Sequence, residues 1–453
     1  MAKVLAIETP TLGDRSYLAH DGKVAVVIDP QRDTDRITAL AAREGVRITH
    51  VAETHIHNDY VTGGLALSRE TGAAYLVNGA DPVTFDRQPV AGGDVIDVGR
   101  AMRLRAVATP GHTFTHLSYV LESADQVAGV FTGGSLLFGS TGRPDLLGPQ
   151  QTGALARAQH ASAQRLARDL PDSAQIFPTH GFGSFCAATQ ARAAESTIGR
   201  EKQVNPALTL GERAYVETLL AGLDAYPAYY AHMGPANLAG PAQPDLSPPG
   251  RADAAEIRRR ISAGEWVVDL RDRVAFAAGF VPGTFCFSLD GSFASYLGWV
   301  LPWGTPLTLL GETPQQVAQA QRELARIGID HLAAAAPGRA EQWAGGRPLA
   351  TLRLARFGDL AAAGQRDVIV LDVRRALEWA AGHVAGAVHI PFNELPRRVG
   401  EIPPGEVWIY CRTGYRSTVA ASVLAAVGRQ VVSIDDEFNH AEGAGLTLTR
   451  NGG

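Results

Sequence analysis

The chain has 453 residues, of which 45% are apolar and 19% charged, and carries a formal charge of −5. This length exceeds one ordinary core, so two to four globular domains are expected. With no basic bias and no run near the roughly 18 apolar residues of a membrane helix, nucleic-acid and membrane roles are set aside.

At the start of the chain, Met1-Ala2-Lys3-Val4 brings a charge before any long apolar core, so no signal peptide is expected. Short apolar runs follow at Val4–Ile7, Val24–Ile28, Ile48–Ala52, Leu104–Ala108, Leu117–Leu121 and Val127–Thr132. Turn residues such as Asp29-Pro30 and Asn78-Gly79 separate them, which predicts strands. Ile37, Leu40 and Ala41 share one face of a helix predicted over about 33–44, and Thr152–Leu170 reads as a long Ala-rich helix. Strands mixed with helices in this way make a layered α/β domain.

Histidines stand where these strands end. Thr54-His55-Ile56-His57-Asn58-Asp59-Tyr60 follows Ile48–Ala52, and if the chain stays extended His55 and His57 share one side, with Asp59 folding back toward them. Thr109-Pro110-Gly111-His112-Thr113 follows another strand, and Phe177-Pro178-Thr179-His180-Gly181 a third. Imidazoles converging from several strand ends are what a zinc or iron site needs.

Between about 225 and 251 the composition changes: Pro227, Pro235, Pro241, Pro244, Pro248 and Pro249 sit among Gly and Ala, predicting a semi-rigid linker. Domains are accordingly expected at 1–245, 250–348 and 350–453. The last two share a repeat. Val267-Val268-Asp269-Leu270-Arg271 and a following Phe276–Gly283 parallel Val370-Leu371-Asp372-Val373-Arg374 and Trp379–Gly386, a spacing of roughly 100 residues that signals domain duplication.

The three cysteines, Cys186, Cys286 and Cys411, are far apart and form no CxxC pair, which argues for a reducing, cytoplasmic setting. Cys411 stands out. Val407–Tyr410 reads as a buried strand, Thr418–Val427 as a helix, and Cys411-Arg412-Thr413-Gly414-Tyr415-Arg416-Ser417 as the loop between them. Loop amides, a helix N-terminus and the charges of Arg412 and Arg416 all favour thiolate over thiol, and Gly414 lets the loop curl. Thr413, Gly414, Tyr415 and Ser417 are the expected walls for a bound sulfur substrate. The Cys-x4-Arg spacing makes a smaller ring of amides than Cys-x5-Arg, suiting a persulfide better than an oxyanion. The first copy has Gly311-Glu312 at the equivalent strand end and no cysteine.

The Cys411 loop, with Asp372-Val373-Arg374 and His383-Val384-Ala385-Gly386 before it, resembles the rhodaneses. The histidine order resembles the metallo-β-lactamase superfamily, most closely persulfide dioxygenases and their rhodanese fusions. Supporting stretches are Phe131-Thr132-Gly133, Gly142-Arg143-Pro144-Asp145 and Pro178-Thr179-His180-Gly181. The resemblance implies an α/β multidomain protein: an N-terminal αββα sandwich, then two α/β rhodanese-like domains with parallel sheets, the first lacking a catalytic cysteine. It also implies ferrous iron held by His55, His112 and a carboxylate, with Arg143 at the substrate. A low-molecular-weight thiol persulfide would be oxidised to sulfite, coupled to sulfur transfer through a Cys411 persulfide with thiosulfate or sulfite as partners. A homodimer is compatible with such repeated surfaces.

Two residues depart from that pattern. Tyr60 stands in place of a second-site histidine, which favours a mononuclear centre, and Gly134 stands in place of the metal-binding Asp. His57 as third ligand, Asp59 as oxygen donor or a shifted Ser135 could each compensate, and an aspartate restored at 134 is expected to tighten iron binding. Two other readings stay open: a zinc thioester hydrolase using His55, His57 and His112, and a metal-free binding domain attached to an active rhodanese.

Overall fold

Val24–Ile28 is an almost unbroken buried apolar run because both faces of its sheet are covered. The structure, a computed structural model, describes residues 2–124, 126–188, 194–363 and 368–450. Val24–Ile28 lies within a six-stranded sheet ordered Lys3–Thr9, Asp14–His20, Val24–Ile28, Arg47–Ala52, Ala74–Asn78, Gln88–Val90. The first three strands pair antiparallel; the next pairings are parallel, with helices Asp35–Glu44 and Gly64–Thr71 making the crossovers on either side of Arg47–Ala52. A five-stranded sheet is ordered Gln175–Pro178, Gln126–Gly133, Leu117–Ser123, Met102–Ala108, Val95–Val98.

The two sheets face each other across a core that includes Tyr17, Val26, Ile28, Leu104, Leu117, Tyr119 and Phe131. Outside the first sheet, Ile37, Ala41, Leu65 and Leu67 of the two crossover helices cover Val27 and Val51. Outside the second, Leu166 and Ala163 of helix Pro149–Asp169 cover Val120 and Val130. The result is an αββα sandwich, as the resemblance implied.

The chain groups into two compact units, Met1–Asp245 with Ala325–Gly328, and Leu246–Leu324 with Ile329–Gly453. Part of the segment read as a linker is helical instead: Tyr230–Ala239 forms a helix with Pro235 inside it. Tyr229, Tyr230 and Met233 are buried, and that apolar anchoring outweighs the Pro- and Gly-rich composition. Asn237 on this helix donates from Nδ2 to the carbonyls of His57 and Tyr60, and its Oδ1 accepts the Thr62 amide.

In the second unit the sequence repeat becomes a repeat of architecture. One parallel sheet is ordered Phe285–Cys286, Trp266–Asp269, Leu307–Gly311, Leu332–Pro337. The other, also parallel, is ordered Val388–His389, Ile369–Asp372, Val407–Tyr410, Val431–Ile434, Arg353–Ala355. Counting from the Trp266 and Ile369 strands, the four shared strands occur in the same spatial order. The Asp-x-Arg motif has the same job in each half. Arg271 is bound to Asp269 at 2.6 Å and donates to the carbonyl of Gly279 at 2.8 Å. Arg374 is bound to Asp372 at 2.6 Å and donates to the carbonyl of Gly382 at 2.6 Å. Each arginine thus ties a strand end to the end of the following helix. Among the described residues no helix is long and apolar enough to cross a membrane.

Candidate active site

The loops that leave the sandwich strands bring His55, His112 and His180 together, one ligand atom from each lying within 4.8 Å of the others. Their tautomers follow from what backs each ring. His112 donates from Nδ1 to the Arg143 carbonyl at 2.8 Å, so its Nε2 carries a lone pair, and that buried atom has no hydrogen-bond partner. His55 Nδ1 lies 2.9 Å from Thr54 Oγ1, whose proton goes to Asp29 Oδ2. His180 Nδ1 faces Asp14 at 2.9 Å and Asp59 at 3.0 Å, while its Nε2 meets His55 Nε2 at 3.4 Å. Three backed imidazoles aimed at one point fit a divalent zinc or iron ion.

Burial and the neighbouring imidazoles hold His55 far below the usual histidine range, and burial with His180 lowers His112 to about 3. At His180 burial opposes the charge, but Asp59 and Asp14 outweigh it and push the ring up to about 10. An ion bound at this point would displace a proton from His180.

The expected ligands divide. His55 and His112 join the cluster. His57 turns its Nε2 to Asp29 at 3.3 Å, Glu53 at 3.4 Å and the Tyr60 hydroxyl at 3.0 Å; burial disfavours its charge, yet the two carboxylates push it up to about 9. Tyr60, in place of a histidine, thus holds His57. His57 Nδ1 is 4.0 Å from Asp59 and lacks a hydrogen-bond partner, and His57, Asp59 and His180 form a second group able to hold an ion. Asp59 itself backs His180. The Ser135 hydroxyl is buried without a partner. The Arg143 guanidinium is engaged by Asp145, Phe185 O and Asp224 O, and its carbonyl orients His112, which makes it a positioning residue.

Gly134 has a structural reason. A Cβ there would lie 2.3 Å from the His112 ring, and the Gly134 amide donates to Nε2 of His116 at 3.0 Å. His116 stacks on His55 with centroids 5.0 Å apart. Sequence reasoning noted His180 at a strand end without assigning it as a ligand, and missed Asp14, Asp29 and His116. A histidine four residues after His112 in Thr109–His116 was the available signal for the last.

In the second unit Cys411 ends the fully buried strand Val407–Tyr410 and precedes helix Tyr415–Ala426. Gly414 has φ +101°, and its amide points at Cys411 Sγ from 3.2 Å. The thiol lies 3.6 Å from Ser417 Oγ, which itself donates to Gly414 O and Ile434 O. Arg416 is committed to Glu378 through two hydrogen bonds of 2.6 and 2.7 Å, and burial notwithstanding it holds that carboxyl at about 2. Arg412 and Thr413 are exposed and, with Arg374, Glu437 and Arg450, line a cleft of about 790 Å³. Tyr415 donates to the Ser288 carbonyl at 3.0 Å. Cys286 is buried, and burial pushes its thiol up.

Sandwich, imidazole centre and thiol loop define a metallo-β-lactamase domain joined to a rhodanese-like one. Residues 12–180 match the metallo-beta-lactamase superfamily and residues 358–440 the rhodanese-like domain. The human persulfide dioxygenase ETHE1 (mitochondrial) is 30% identical over 53% of this chain and 81% of its own length. A hydroxyacylglutathione hydrolase of Polaromonas sp. is 34% identical over 35% of this chain and 57% of its own. A metallo-beta-lactamase crystal structure from Staphylococcus aureus, 28% identical, superposes with a TM-score of 0.66 over 75% of this chain and 99% of that one. The chain belongs to the metallo-β-lactamase superfamily, among the homologues of ETHE1, and carries a C-terminal rhodanese-like domain.

Proposed function

We propose that this protein oxidises a thiol persulfide to sulfite in its first unit and transfers sulfane sulfur through Cys411 in its second. The observation that carries the reading is the Cys411 cradle, with the Gly414 amide 3.2 Å from Sγ, in the same chain as three converging imidazoles. His55, His112 and His180 would hold the metal; ferrous iron there supplies O₂ activation. Asp14 and Asp59 hold the His180 ring in place, and Arg143 O does so for His112.

The first reaction balances as RSSH + O₂ + H₂O giving RSH and sulfurous acid. In the second, the Cys411 thiolate attacks the outer sulfur of thiosulfate, the S–S bond breaks, and sulfite leaves with its electron pair. The new persulfide sits at the Gly414 amide. Arg416, neutralised by Glu378, shapes this loop, while exposed Arg412 meets the anionic donor. The halves of the second unit are read as two rhodanese-like domains on their shared strand order, the first without a catalytic thiol.

The hydroxyacylglutathione hydrolase relatives support a second reading, a zinc-dependent thioester hydrolase at the same imidazoles. Elemental analysis of anaerobically purified protein, with O₂ uptake on glutathione persulfide, separates the two. Iron with O₂ uptake supports the proposal; zinc with cleavage of a hydroxyacylglutathione thioester and no O₂ uptake overturns it.

A further inference from the structure

The half of the second unit that has no cysteine at the equivalent loop touches the Cys411 loop at a charged point. Asp435 follows strand Val431–Ile434 and leans over the loop: its Oδ1 lies 2.2 Å from where a Gly414 Cβ would stand, so only glycine fits beneath it. The Gly414 amide is the group that faces Cys411 Sγ. A bare carboxylate in that place would confront any anion approaching the thiol. It is not bare. Arg273, the first residue of helix Arg273–Ala278 in the other half, donates from Nε to Asp435 Oδ1 at 2.6 Å, and that nitrogen would be 3.3 Å from the same Gly414 Cβ. Its Nη1 is 3.6 Å from Asp290.

The other cations near the loop are placed differently, Arg374 being held by Asp372 and Arg375 by Glu378. Arg416 is taken up by Glu378, and Arg412 is exposed at the rim. The Tyr296 ring, also from the first half, stands 5.3 Å from Tyr415 and adds bulk but no cation. Arg273 is half-buried; desolvation disfavours its charge, but Asp435 and Asp290 outweigh that and raise its pKa.

We propose that Arg273 is a positioning residue of the sulfur-transfer site: by neutralising Asp435 it lets anionic sulfur donors and acceptors reach Cys411. The half without a loop cysteine is then an integral wall of the site rather than a spacer. This rests on the reading of Cys411 as the sulfur acceptor.

The test uses the full chain and compares alkylation of Cys411 by anionic iodoacetate and neutral iodoacetamide, followed at the Cys411 peptide by mass spectrometry. Loss of Arg273 should slow the anionic reagent selectively, lowering the iodoacetate-to-iodoacetamide rate ratio roughly five- to tenfold in R273A, the size expected of one uncompensated charge nearby. The ratio should recover in R273A/D435N and be largely kept in R273K. A merely structural arginine would change both rates together, and the double variant would not recover; either result overturns the proposal. Thiosulfate loading of the unsubstituted protein tests the acceptor role of Cys411 separately, so the two failures are distinguishable.

Discussion

Each of the three converging imidazoles is oriented by an acceptor at Nδ1: Thr54, the Arg143 carbonyl, or Asp14 with Asp59. Removing such an acceptor loosens the ring, so D14N should weaken metal binding roughly 10- to 100-fold, measured by competition with a chromophoric chelator. An unchanged affinity would place the ion elsewhere. Gly134 gives a sharper prediction. Restoring an aspartate there looked favourable from sequence, but its Cβ would strike the His112 ring at 2.3 Å. G134D should therefore bind less metal per chain than the unsubstituted protein, by elemental analysis after dialysis. His55 and His112 were legible because each follows an apolar strand directly. The part of His180 was not, since the carboxylates that orient it come from distant positions, Asp14 before strand Val24–Ile28 and Asp59 after Arg47–Ala52.

Helix ends and strand ends are tied together in the second unit by buried ion pairs, and these explain motifs that had only a family meaning in the sequence. Arg271 and Arg374 each bond a buried aspartate two residues earlier and a helix-terminal carbonyl. Replacing either with methionine strands the aspartate, costing about 3–5 kcal/mol by urea unfolding. The Arg416–Glu378 pair makes a pH prediction. Glu378 is lowered from an ordinary 4.5 to about 2, so its contribution is fully present above pH 4.5 and is lost as pH falls toward 2. E378Q should be less stable than the unsubstituted protein at neutral pH, with the gap narrowing between those two values in acid unfolding followed by tryptophan fluorescence. A gap independent of pH would show that the carboxylate charge is not the cause. The Cys411 strand and helix were readable from local pattern, whereas this pair, 38 residues apart, was not. Composition misled at Tyr230–Ala239, where buried tyrosines make a helix out of a proline-rich stretch and Asn237 braces the loop carrying His57.

On the proposed reading the product of one unit can serve the other: sulfite released by persulfide oxidation would be the same anion that leaves, or attacks, at a Cys411 persulfide. The two halves of the second unit share an order of strands, and their equivalent strand ends differ: Gly311-Glu312 in one, a thiol facing an amide in the other. The claim on which this account turns is that Cys411 carries sulfane sulfur. Protein incubated with thiosulfate, freed of excess reagent and treated with cyanide should release about one equivalent of thiocyanate per chain, and C411S none. Equal release from C411S, or none from the unsubstituted protein, would contradict it.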